Sequence, residues 1–433
     1  MTSDNKIPAL FVIGFAVLSG FLLTSTALTG SSEKVLYNFC SAKNCIDGVA
    51  PNGGLRFDNA GNLYGTTLAG GGVGDCPPAG CGTVFKLTPN QGKWTEQVLY
   101  GFTSPPNAGL VFDKHGNIYG TSNLDGTGQY CPFDFGGCGT VFELISHNGK
   151  WTKKILYSFC SAPNCVDGDG PVAGLIIDKA GNLYGTTAGG GASGCGGSGC
   201  GTVFELTRNN GNWTESALYA FTSGKDGDTP FGGLTIDSSG NLYGTTIEGG
   251  GSSCGGAGCG TVFELARNNG KWTEKVLHAL TGKDGQHPQA SLVFDSHGNL
   301  YGTAAYGGLY SCNHVTCGTA FELTLKSGKW TEKVLRSFNG TSDGAYPSAL
   351  TFDTTGKLFG ATYGGGASGY GTVFELLLDN GKWMEKVLHN FPPGGHDGTN
   401  PESLILGTAG NLYGTAFQGG AHNNSGAVFE VTP

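Results

Sequence analysis

Acidic residues that could bind a cation or a ligand stand beside glycine at one recurring place in the sequence. The dipeptide Asp-Gly occurs there six times, beginning at Asp47, Asp167, Asp226, Asp284, Asp343 and Asp397. In two copies a second carboxylate follows the glycine, which pairs Asp167 with Asp169 and Asp226 with Asp228. Repeated carboxylates on one rim could hold calcium, which takes about six to eight oxygen ligands. Asp-Gly is also ordinary turn chemistry, so we predict turns at most copies and keep these four carboxylates as candidate ligand-binding residues.

Fourteen cysteines occur in the chain as seven pairs of near neighbours. The pairs are Cys40-Cys45, Cys76-Cys81, Cys131-Cys138, Cys160-Cys165, Cys195-Cys200, Cys254-Cys259 and Cys312-Cys317. An even number of locally spaced cysteines is typical of disulfides in an exported chain. Thiolate metal sites favour Cys-x-x-Cys spacing, which these pairs do not have. We therefore predict seven disulfides and no metal site.

No set of residues in the sequence has the spacing of a catalytic site. Six glutamates occupy one place in successive copies of a repeat, which indicates an architectural role: Glu143, Glu205, Glu264, Glu322, Glu375 and Glu430. The histidines His115, His287 and His297 are scattered, and no nucleophile stands beside a base. We predict no catalytic residue, and no cofactor other than the hypothetical calcium.

Three strings of residues repeat in fixed order and indicate the elements that position these groups. Gly-Asn-Leu-Tyr-Gly-Thr-Thr and its variants begin at residues 61, 116, 181, 240, 298, 356 and 410, and Gly-Thr-Val-Phe-Glu-Leu follows each copy. Lys-Trp-Thr-Glu-x-Val-Leu accounts for all six tryptophans. Short segments rich in β-branched and aromatic residues predict four strands in each unit, joined by Asp-x-x-Gly-Asn and Asn-Gly turns. A four-stranded unit of this length is typical of a propeller blade.

The two ends of the repeat array predict a closed ring. Residues 33–39 resemble a fourth strand without the first three, and residues 429–433 resemble a third strand without a fourth. Joining them completes a blade and leaves no open edge. We therefore predict an all-β fold, a seven-bladed β-propeller with four antiparallel strands per blade and three-plus-one closure. One domain then spans 31–433, with blades at about 51–104, 105–160, 171–222, 231–281, 288–338, 347–391 and 401–433 plus 33–39.

The predicted propeller places its long, cysteine-bearing loops on one face and its short turns on the other. Functional groups concentrate in variable loops on rigid scaffolds, so we predict that this loop face binds the ligand. Blades 6 and 7 lack cysteines in their second loops, where Tyr370 and His422 stand instead. We predict that both residues contact the ligand. The fixed place of the tryptophans in each blade predicts packing between blades rather than a sugar-binding platform.

The first thirty residues differ from the rest of the chain. Lys6 precedes an apolar run at 7–23, and small residues at 25–27 resemble a cleavage site, so residues 1–30 predict a signal peptide or an uncleaved signal anchor. We expect a secreted or cell-surface protein that meets a membrane only if this segment is retained. The net charge of −9, without any Lys/Arg cluster, argues against nucleic acid as a partner. A monomer is the expected assembly.

With these repeats the chain resembles the bacterial GloVer (Gloeo_Verruco) tandem-repeat family over about residues 33–433. The resemblance implies a secreted or surface protein, and it brings no established activity, substrate or catalytic residue. A weaker likeness at Leu-x-x-Asp-x-x-Gly-Asn-Leu-Tyr links each unit to NHL-type propeller blades and supports only the fold.

Three functions are compatible with the sequence. The leading hypothesis is a non-catalytic extracellular binding scaffold whose loop face meets a glycan, an envelope component or a protein. The alternatives are a secreted propeller hydrolase or lyase that acts on polysaccharide or peptide, and a purely structural surface protein. A fold does not imply a function, and the first hypothesis is favoured because the sequence holds no reactive constellation.

Overall fold

The computed structural model describes residues 31–76, 80–131, 137–191, 194–195, 198–312 and 314–433. Within these residues seven antiparallel sheets follow one another as the blades of a ring. The predicted all-β, seven-bladed β-propeller with four strands per blade is confirmed. Residues 31–433 form one unit, whereas the predicted export segment 1–30 lies outside the described residues.

Each blade is a meander of consecutive strands. From the first strand to the end of blade 3 the strands are β1 (Ser32–Asn38), β2 (Val49–Pro51), β3 (Arg56–Phe57), β4 (Leu63–Ala69), β5 (Thr83–Asn90), β6 (Lys93–Gly101), β7 (Val111–Phe112), β8 (Ile118–Ser122), β9 (Thr140–His147), β10 (Lys150–Ser158), β11 (Ile176–Ile177), β12 (Leu183–Thr187), β13 (Thr202–Asn209) and β14 (Asn212–Ala220). Blade 1 contains β2 to β6, in which both β2 and β3 pair with β4, blade 2 contains β7 to β10, and blade 3 contains β11 to β14.

The remaining four blades follow the same plan. Their strands are β15 (Thr235–Ile236), β16 (Leu242–Thr246), β17 (Thr261–Asn268), β18 (Lys271–Ala279), β19 (Val293–Phe294), β20 (Leu300–Ala304), β21 (Ser311–Cys312), β22 (Val315–Thr316), β23 (Thr319–Lys326), β24 (Lys329–Ser337), β25 (Ala345–Phe352), β26 (Leu358–Gly364), β27 (Thr372–Asp379), β28 (Lys382–Asn390), β29 (Thr399–Leu406), β30 (Leu412–Gln418) and β31 (Ala427–Thr432). Blade 4 contains β15 to β18. Blade 5 contains β19, β20, β23 and β24, with the hairpin β21–β22 in its loop. Blade 6 contains β25 to β28, and blade 7 contains β29 to β31 with β1. Among the described residues, short 3₁₀ turns lie in cysteine loops at Lys43–Cys45, Pro163–Cys165 and Cys254–Gly256.

The seventh blade joins the two ends of the described chain. Strand β1 pairs antiparallel with β31, and Val35 stands opposite Phe429 in the ladder. The backbone N–H of Phe39 then donates to the carbonyl of Gly426 over 3.1 Å. These hydrogen bonds occupy the edge of β31 that an open array would leave exposed.

Local sequence explains the short turns inside each blade. In the first Asp-x-x-Gly-Asn turn, Oδ1 of Asp58 accepts hydrogen bonds from the N–H groups of Ala60 and Asn62, each over 2.9 Å. The third to fourth strand hairpin of blade 2 has φ of 50° at Asn148 and 79° at Gly149. Two successive positive φ values are what a type I′ turn requires, and Asn-Gly meets that requirement with little strain.

The cores of the molecule lie between neighbouring blades. Leu183 and Phe204 of blade 3 pack in one buried cluster with Tyr119 of blade 2. Trp213, on the outermost strand of blade 3, packs edge-on against Tyr119 with ring centroids 6.0 Å apart. The predicted role of the tryptophans between blades is therefore confirmed. A Cβ atom on Gly185 would lie 2.6 Å from the Phe204 ring, which explains glycine at this place in the repeat.

A set of three polar side chains, called an interface triad below, recurs between the outermost strands of neighbouring blades. The fourth strand of one blade supplies Tyr, His or Arg, the next loop supplies the aspartate of Asp-Gly, and the fourth strand of the following blade supplies glutamate. The triads are Tyr37/Asp47/Glu96, Tyr157/Asp167/Glu215, Tyr219/Asp226/Glu274, His278/Asp284/Glu332, Arg336/Asp343/Glu385 and His389/Asp397/Glu33. Between blades 1 and 2 the loop has no Asp-Gly, and Lys153, paired with Asp125, replaces the glutamate. At this one junction, both carboxylates of the triad are therefore missing: the aspartate is absent from the loop, and lysine stands in place of the glutamate.

Candidate ligand-binding site on the loop face

Two sets of long loops share one face of the propeller. One set joins the second and third strands of a blade, and the other joins the fourth strand to the next blade. Hydrogen bonds tie the two sets together: the N–H of Gly191 donates to the carbonyl of Cys165 over 2.8 Å, and that of Gly308 donates to Gly282 over 2.9 Å. This face is the loop face that the sequence predicts.

Disulfides staple the loops of this face. All seven predicted pairs form, with Cα atoms between 4.0 and 5.6 Å apart. Each bond spans five or seven residues of sequence, so it constrains one loop and does not join blades. Seven disulfides indicate an oxidising environment outside the cytosol.

In the two Asp-Gly-Asp sequences, the first aspartate binds groups of its own loop. Oδ2 of Asp167 accepts a hydrogen bond from the Tyr157 hydroxyl and another from the backbone N–H of Ser161, each over 2.8 Å. Asp226 makes the equivalent bonds with Tyr219 and Thr222. These two candidate residues therefore have the turn role, and their side chains are held within the loop and the blade interface.

The second carboxylates, Asp169 and Asp228, line a cavity on the loop face of blades 2 to 4. Its volume is about 720 Å³, and Glu248, Asn123 and Val172 also contribute to its wall. Cavities of this size suit small-molecule ligands or a few residues of a polymer. The structure thus separates the four candidate aspartates into two that organise loops and two that face a cavity.

Backbone pairing fixes the carboxylates in this wall. Asp228 and Glu248 exchange two backbone hydrogen bonds of 2.9 and 3.1 Å, and Asp169 exchanges two of 2.9 Å with Gly189. Asp169 and Asp228 therefore occupy one repeat position in neighbouring blades. Glu248 could not be predicted from the repeat, because the equivalent residue of blade 3, Gly189, has no side chain.

Asp228 is the most constrained charge in the cavity. The residue is 6% exposed, and its Oδ1 accepts a hydrogen bond from the Thr229 hydroxyl over 2.8 Å. Its Oδ2 lies 2.9 Å from Sγ of Cys195, but that sulfur belongs to the disulfide with Cys200 and has no hydrogen to donate. A buried carboxylate oxygen without a donor is costly, so this oxygen favours a ligand that brings a hydrogen-bond donor or a positive charge.

Asp169 and Asn123 add further hydrogen-bond acceptors to the wall of the cavity. Burial, with a smaller contribution from the charge of Asp167, raises the pKa of Asp169 above its ordinary value. Oδ1 of Asn123 is buried and lacks a hydrogen-bond partner within the described part of the chain. The polar groups of the wall are thus mainly acceptors.

Calcium has less support from the aspartates than the sequence suggests. Asp167 and Asp169 do not point into one site, and neither do Asp226 and Asp228. Among the described residues, the clusters of possible ligand atoms within 4.8 Å of one another do not include Asp169 or Glu248. Calcium binding at these residues stays a hypothesis.

Tyr370 and His422 lie on the loops of blades 6 and 7, outside the cavity wall. Tyr370 is 39% exposed, and the bonds found for both residues involve their backbone carbonyls, which accept from Asn400 and Ser425 over 2.9 and 3.0 Å. The structure therefore does not bring these two candidates together with Asp169 and Asp228. Their role in binding stays a prediction.

Alanine at Tyr370 or His422 is expected to lower the free energy of unfolding by less than about 1 kcal/mol, because exposed loop side chains contribute little to stability. Urea unfolding followed by tryptophan fluorescence measures this. A loss above about 2 kcal/mol would mean that the side chain is structural. A change in ligand affinity without such a loss would place the residue in an extended binding surface.

A second group of residues on the loop face was not predicted from the sequence. His287 and Tyr346 stand two places after Asp-Gly, where the chain enters blades 5 and 6, and both have positive φ, 53° and 59°. The ring of each packs edge-on against Tyr306, with centroids 5.6 Å apart in both cases. The signal in the sequence was an aromatic or imidazole ring directly before the proline that opens blades 5 and 6. The rim is therefore acidic at blades 3 and 4 and aromatic at blades 5 and 6.

The fold and the site define a disulfide-stapled, seven-bladed β-propeller with an acid-lined cavity on its loop face. The chain belongs to the Gloeobacter/Verrucomicrobia repeat family, whose model matches residues 78–315 and 252–433. The resemblance found in the repeats is therefore confirmed. No curated protein matches the sequence.

Solved structures with a similar fold include sugar-lactone enzymes. A structure from Bacteroides uniformis, provisionally assigned as a 6-phosphogluconolactonase, superposes with a TM-score of 0.51 at 12% identity, covering 80% of this chain and 87% of that chain. A gluconolactonase from Xanthomonas campestris gives a TM-score of 0.42 at 14% identity, covering 82% and 90%. Likeness at this identity shows the fold alone. In the part of the chain that the structure describes, no helix has the length and apolar character to cross a membrane.

Proposed function

We propose that the protein is an extracellular, non-catalytic binding scaffold whose ligand occupies the cavity on the loop face of blades 2 to 4. The observation that carries the proposal is the buried carboxylate of Asp228, which lines this cavity and has one oxygen without a donor among the described residues. The apolar segment at 1–30 and the seven disulfides support an extracellular location.

The chemistry of the wall selects the ligand. Asp169, Asp228 and Glu248 offer carboxylate oxygens, and Asn123 offers an amide oxygen. Such a wall favours ligands rich in hydroxyl or amine donors. Glycans and donor-rich peptide segments of envelope components have this character. The apolar part of the wall, including Val172, suits the less polar face of such a ligand.

Rigid positioning supports binding over a structural role. The loops are cross-linked by disulfides, and the two aspartates stand on paired backbone rather than on free loop ends. A site held in place before the ligand arrives loses less entropy on binding. A purely structural surface protein has no need for a preformed cavity with an unsatisfied charge.

Replacing Asp228 by asparagine is expected to weaken ligand binding by about tenfold or more, because a hydrogen bond to a charged group contributes about 1.5 to 3 kcal/mol. A glycan and peptide array with purified protein identifies the ligand, and titration calorimetry then measures its affinity. Asp75→Asn is the matched control, since Asp75 is exposed on the same face outside the cavity and the variant makes the same change of charge.

Two results would contradict the proposal. If the Asp228→Asn and Asp75→Asn variants bound the ligand with equal affinity, the ligand would have to bind outside the cavity. Turnover of a polysaccharide, peptide or lactone that is lost in Asp228→Asn would instead establish an enzyme. Thermal unfolding of each variant shows whether the fold is intact.

A further inference from the structure

Two of the six interface triads contain histidine in place of tyrosine or arginine. His278, Asp284 and Glu332 form one of them between blades 4 and 5. The ligand atoms of the three side chains all lie within 4.8 Å of one another. Nε2 of His278 is 2.9 Å from Oδ2 of Asp284. One imidazole nitrogen and two carboxylates therefore converge on a single point between two outermost strands.

The second histidine triad repeats this arrangement between blades 6 and 7. His389, Asp397 and Glu33 also bring their ligand atoms within 4.8 Å of one another. Nε2 of His389 is 3.2 Å from Oδ2 of Asp397. Glu33 belongs to β1, the strand that completes the seventh blade. Both clusters are partly buried, with His278 24% and His389 18% exposed.

Each cluster contains an oxygen that the protein leaves without a partner. Oε1 of Glu332 and Oε1 of Glu33 are both inaccessible to solvent and have no hydrogen-bond partner within the described residues. By contrast, Asp284 is firmly oriented, because its Oδ1 accepts from the N–H and the hydroxyl of Thr281 over 2.7 and 3.0 Å. The same glutamate oxygen is unpartnered among the described residues in the other four triads as well. It therefore provides an open acceptor in every triad, and the imidazole nitrogen is what distinguishes these two.

The other triads show why histidine matters. In the tyrosine triads, the hydroxyl of Tyr157 or Tyr219 donates a hydrogen bond to the aspartate and stays protonated at neutral pH, so it is a poor ligand. The positive Arg336 of a further triad pairs directly with Asp343 and repels a cation. Only histidine at this place offers a neutral nitrogen lone pair.

We propose that the triads His278/Asp284/Glu332 and His389/Asp397/Glu33 are two equivalent binding sites for a divalent transition metal of the zinc type, which link neighbouring blades. Zinc accepts imidazole nitrogen and carboxylate oxygen in a four-coordinate site. A water molecule takes the fourth position. The two carboxylates neutralise the charge of the ion, and the imidazole exchanges its hydrogen bond to aspartate for a bond to the metal. Calcium and magnesium prefer sites of oxygen alone and are excluded by the imidazole.

The stoichiometry of zinc binding tests this proposal. Purified protein is stripped with a chelator, dialysed against Zn²⁺ alone, and its metal content is measured by mass spectrometry. We expect two zinc ions per chain. The variants His278→Tyr and His389→Tyr are each expected to bind one, and the double variant none. Tyrosine already occupies this place in three other triads, so these variants preserve the hydrogen bond to aspartate and the fold.

Matched controls separate the two sites from adventitious binding. His297 is 82% exposed in a turn beside Asp295 and belongs to neither triad, so His297→Tyr is expected to retain two zinc ions. Zinc is also expected to raise the melting temperature of the wild-type protein and not that of the double variant. Absence of zinc from the wild-type protein, or two zinc ions in the double variant, would overturn the proposal. So would equal binding of Ca²⁺ or Mg²⁺ at these residues.

Discussion

Replacing Phe39 by alanine is expected to lower the free energy of unfolding by about 3 to 5 kcal/mol, as found for fully buried aromatic side chains. Phe39 follows β1 and is 0% exposed, and its ring packs edge-on against Phe85 of blade 1 with centroids 5.0 Å apart. The same cluster contains Leu55 and Val428. The variant therefore opens a cavity at the junction between the closing blade and the first blade. Urea unfolding followed by circular dichroism measures the loss.

The chain supplies a matched control for this change. Leu280 occupies the equivalent position after β18, where its N–H donates to Gly260 over 3.0 Å as Phe39 does to Gly426. Phe39→Leu is therefore compatible with the repeat and is expected to cost less than about 1.5 kcal/mol. If alanine cost no more than leucine, the closing junction would contribute little to stability. A loss that appears only in the rate of unfolding would indicate that the junction forms late in folding.

The fold could be predicted from sequence because its determinants are local and repeated. The turn at Asp58 and the hairpin at Asn148-Gly149 each need only a few adjacent residues. Each disulfide likewise joins cysteines a few residues apart, such as Cys195 and Cys200. A single turn or strand pattern could be misassigned, but the same patterns recur in the same order in all seven units, so the assignment of each supports the others. The pairing of Val35 with Phe429 then follows from counting strands.

The site could be predicted only in part, because its geometry depends on partners in other loops and blades. The sequence identified Asp167 and Asp169 as a pair, whereas the structure turns Asp167 toward Tyr157 and leaves Asp169 in the cavity wall. The aspartate that binds its own loop cannot be distinguished from the one that faces a ligand by spacing alone. Glu248 lies at the cavity because its backbone pairs with that of Asp228. Nearby residues in the sequence do not predict that pairing.

The interface triads were missed for a related reason. Glu215 belongs to the Trp-Thr-Glu string of blade 3, and Asp167 belongs to the loop that precedes that blade. Only the ring brings them together, against Tyr157 of blade 2. The repeated string alone gives no sign of this contact, whereas in the structure Oε1 of Glu215 is buried without a partner among the described residues.

The buried glutamates predict that the propeller loses stability as the pH rises. Burial, followed by the charge of Asp167, raises the pKa of Glu215 from 4.5 to about 8. Burial and the charge of Asp47 raise the pKa of Glu96 to about 8 in the same way. The folded protein therefore holds protons that the unfolded chain releases above about pH 4.5. Because the folded state binds more protons in this window, the free energy of unfolding falls between about pH 4.5 and pH 8.

The tyrosines that face these glutamates do not titrate in this window. Tyr157 faces Glu215 and Asp167, and Tyr37 faces Glu96 and Asp47. Burial, with the neighbouring carboxylates, raises the pKa of each tyrosine far above its ordinary value. Both hydroxyls thus stay protonated and continue to donate to the aspartates. Loss of stability near pH 8 is therefore assigned to ionisation of the buried glutamates.

Glu215→Gln is expected to remove part of this pH dependence and to stabilise the protein at pH 9 by roughly 2 to 4 kcal/mol relative to the wild type. Glutamine has nearly the same shape, stays neutral at every pH, and can donate its amide hydrogen to Asp167. At pH 5 the wild-type glutamate is protonated, so the two proteins should then have similar free energies of unfolding. Urea unfolding at pH 5, 7 and 9 measures both quantities.

Asp379→Asn is the control for this experiment, because Asp379 is exposed in the hairpin of blade 6 and the variant makes the same change of charge. It is expected to leave the pH profile unchanged, since an exposed carboxylate has little interaction to lose. A wild-type profile that is flat from pH 5 to pH 9 would contradict the assignment. Equal slopes for Glu215→Gln and the wild type would locate the titrating groups elsewhere. If the slope falls only in Glu215→Gln, the carboxyl pair between blades 2 and 3 holds its proton because folding removes both groups from water.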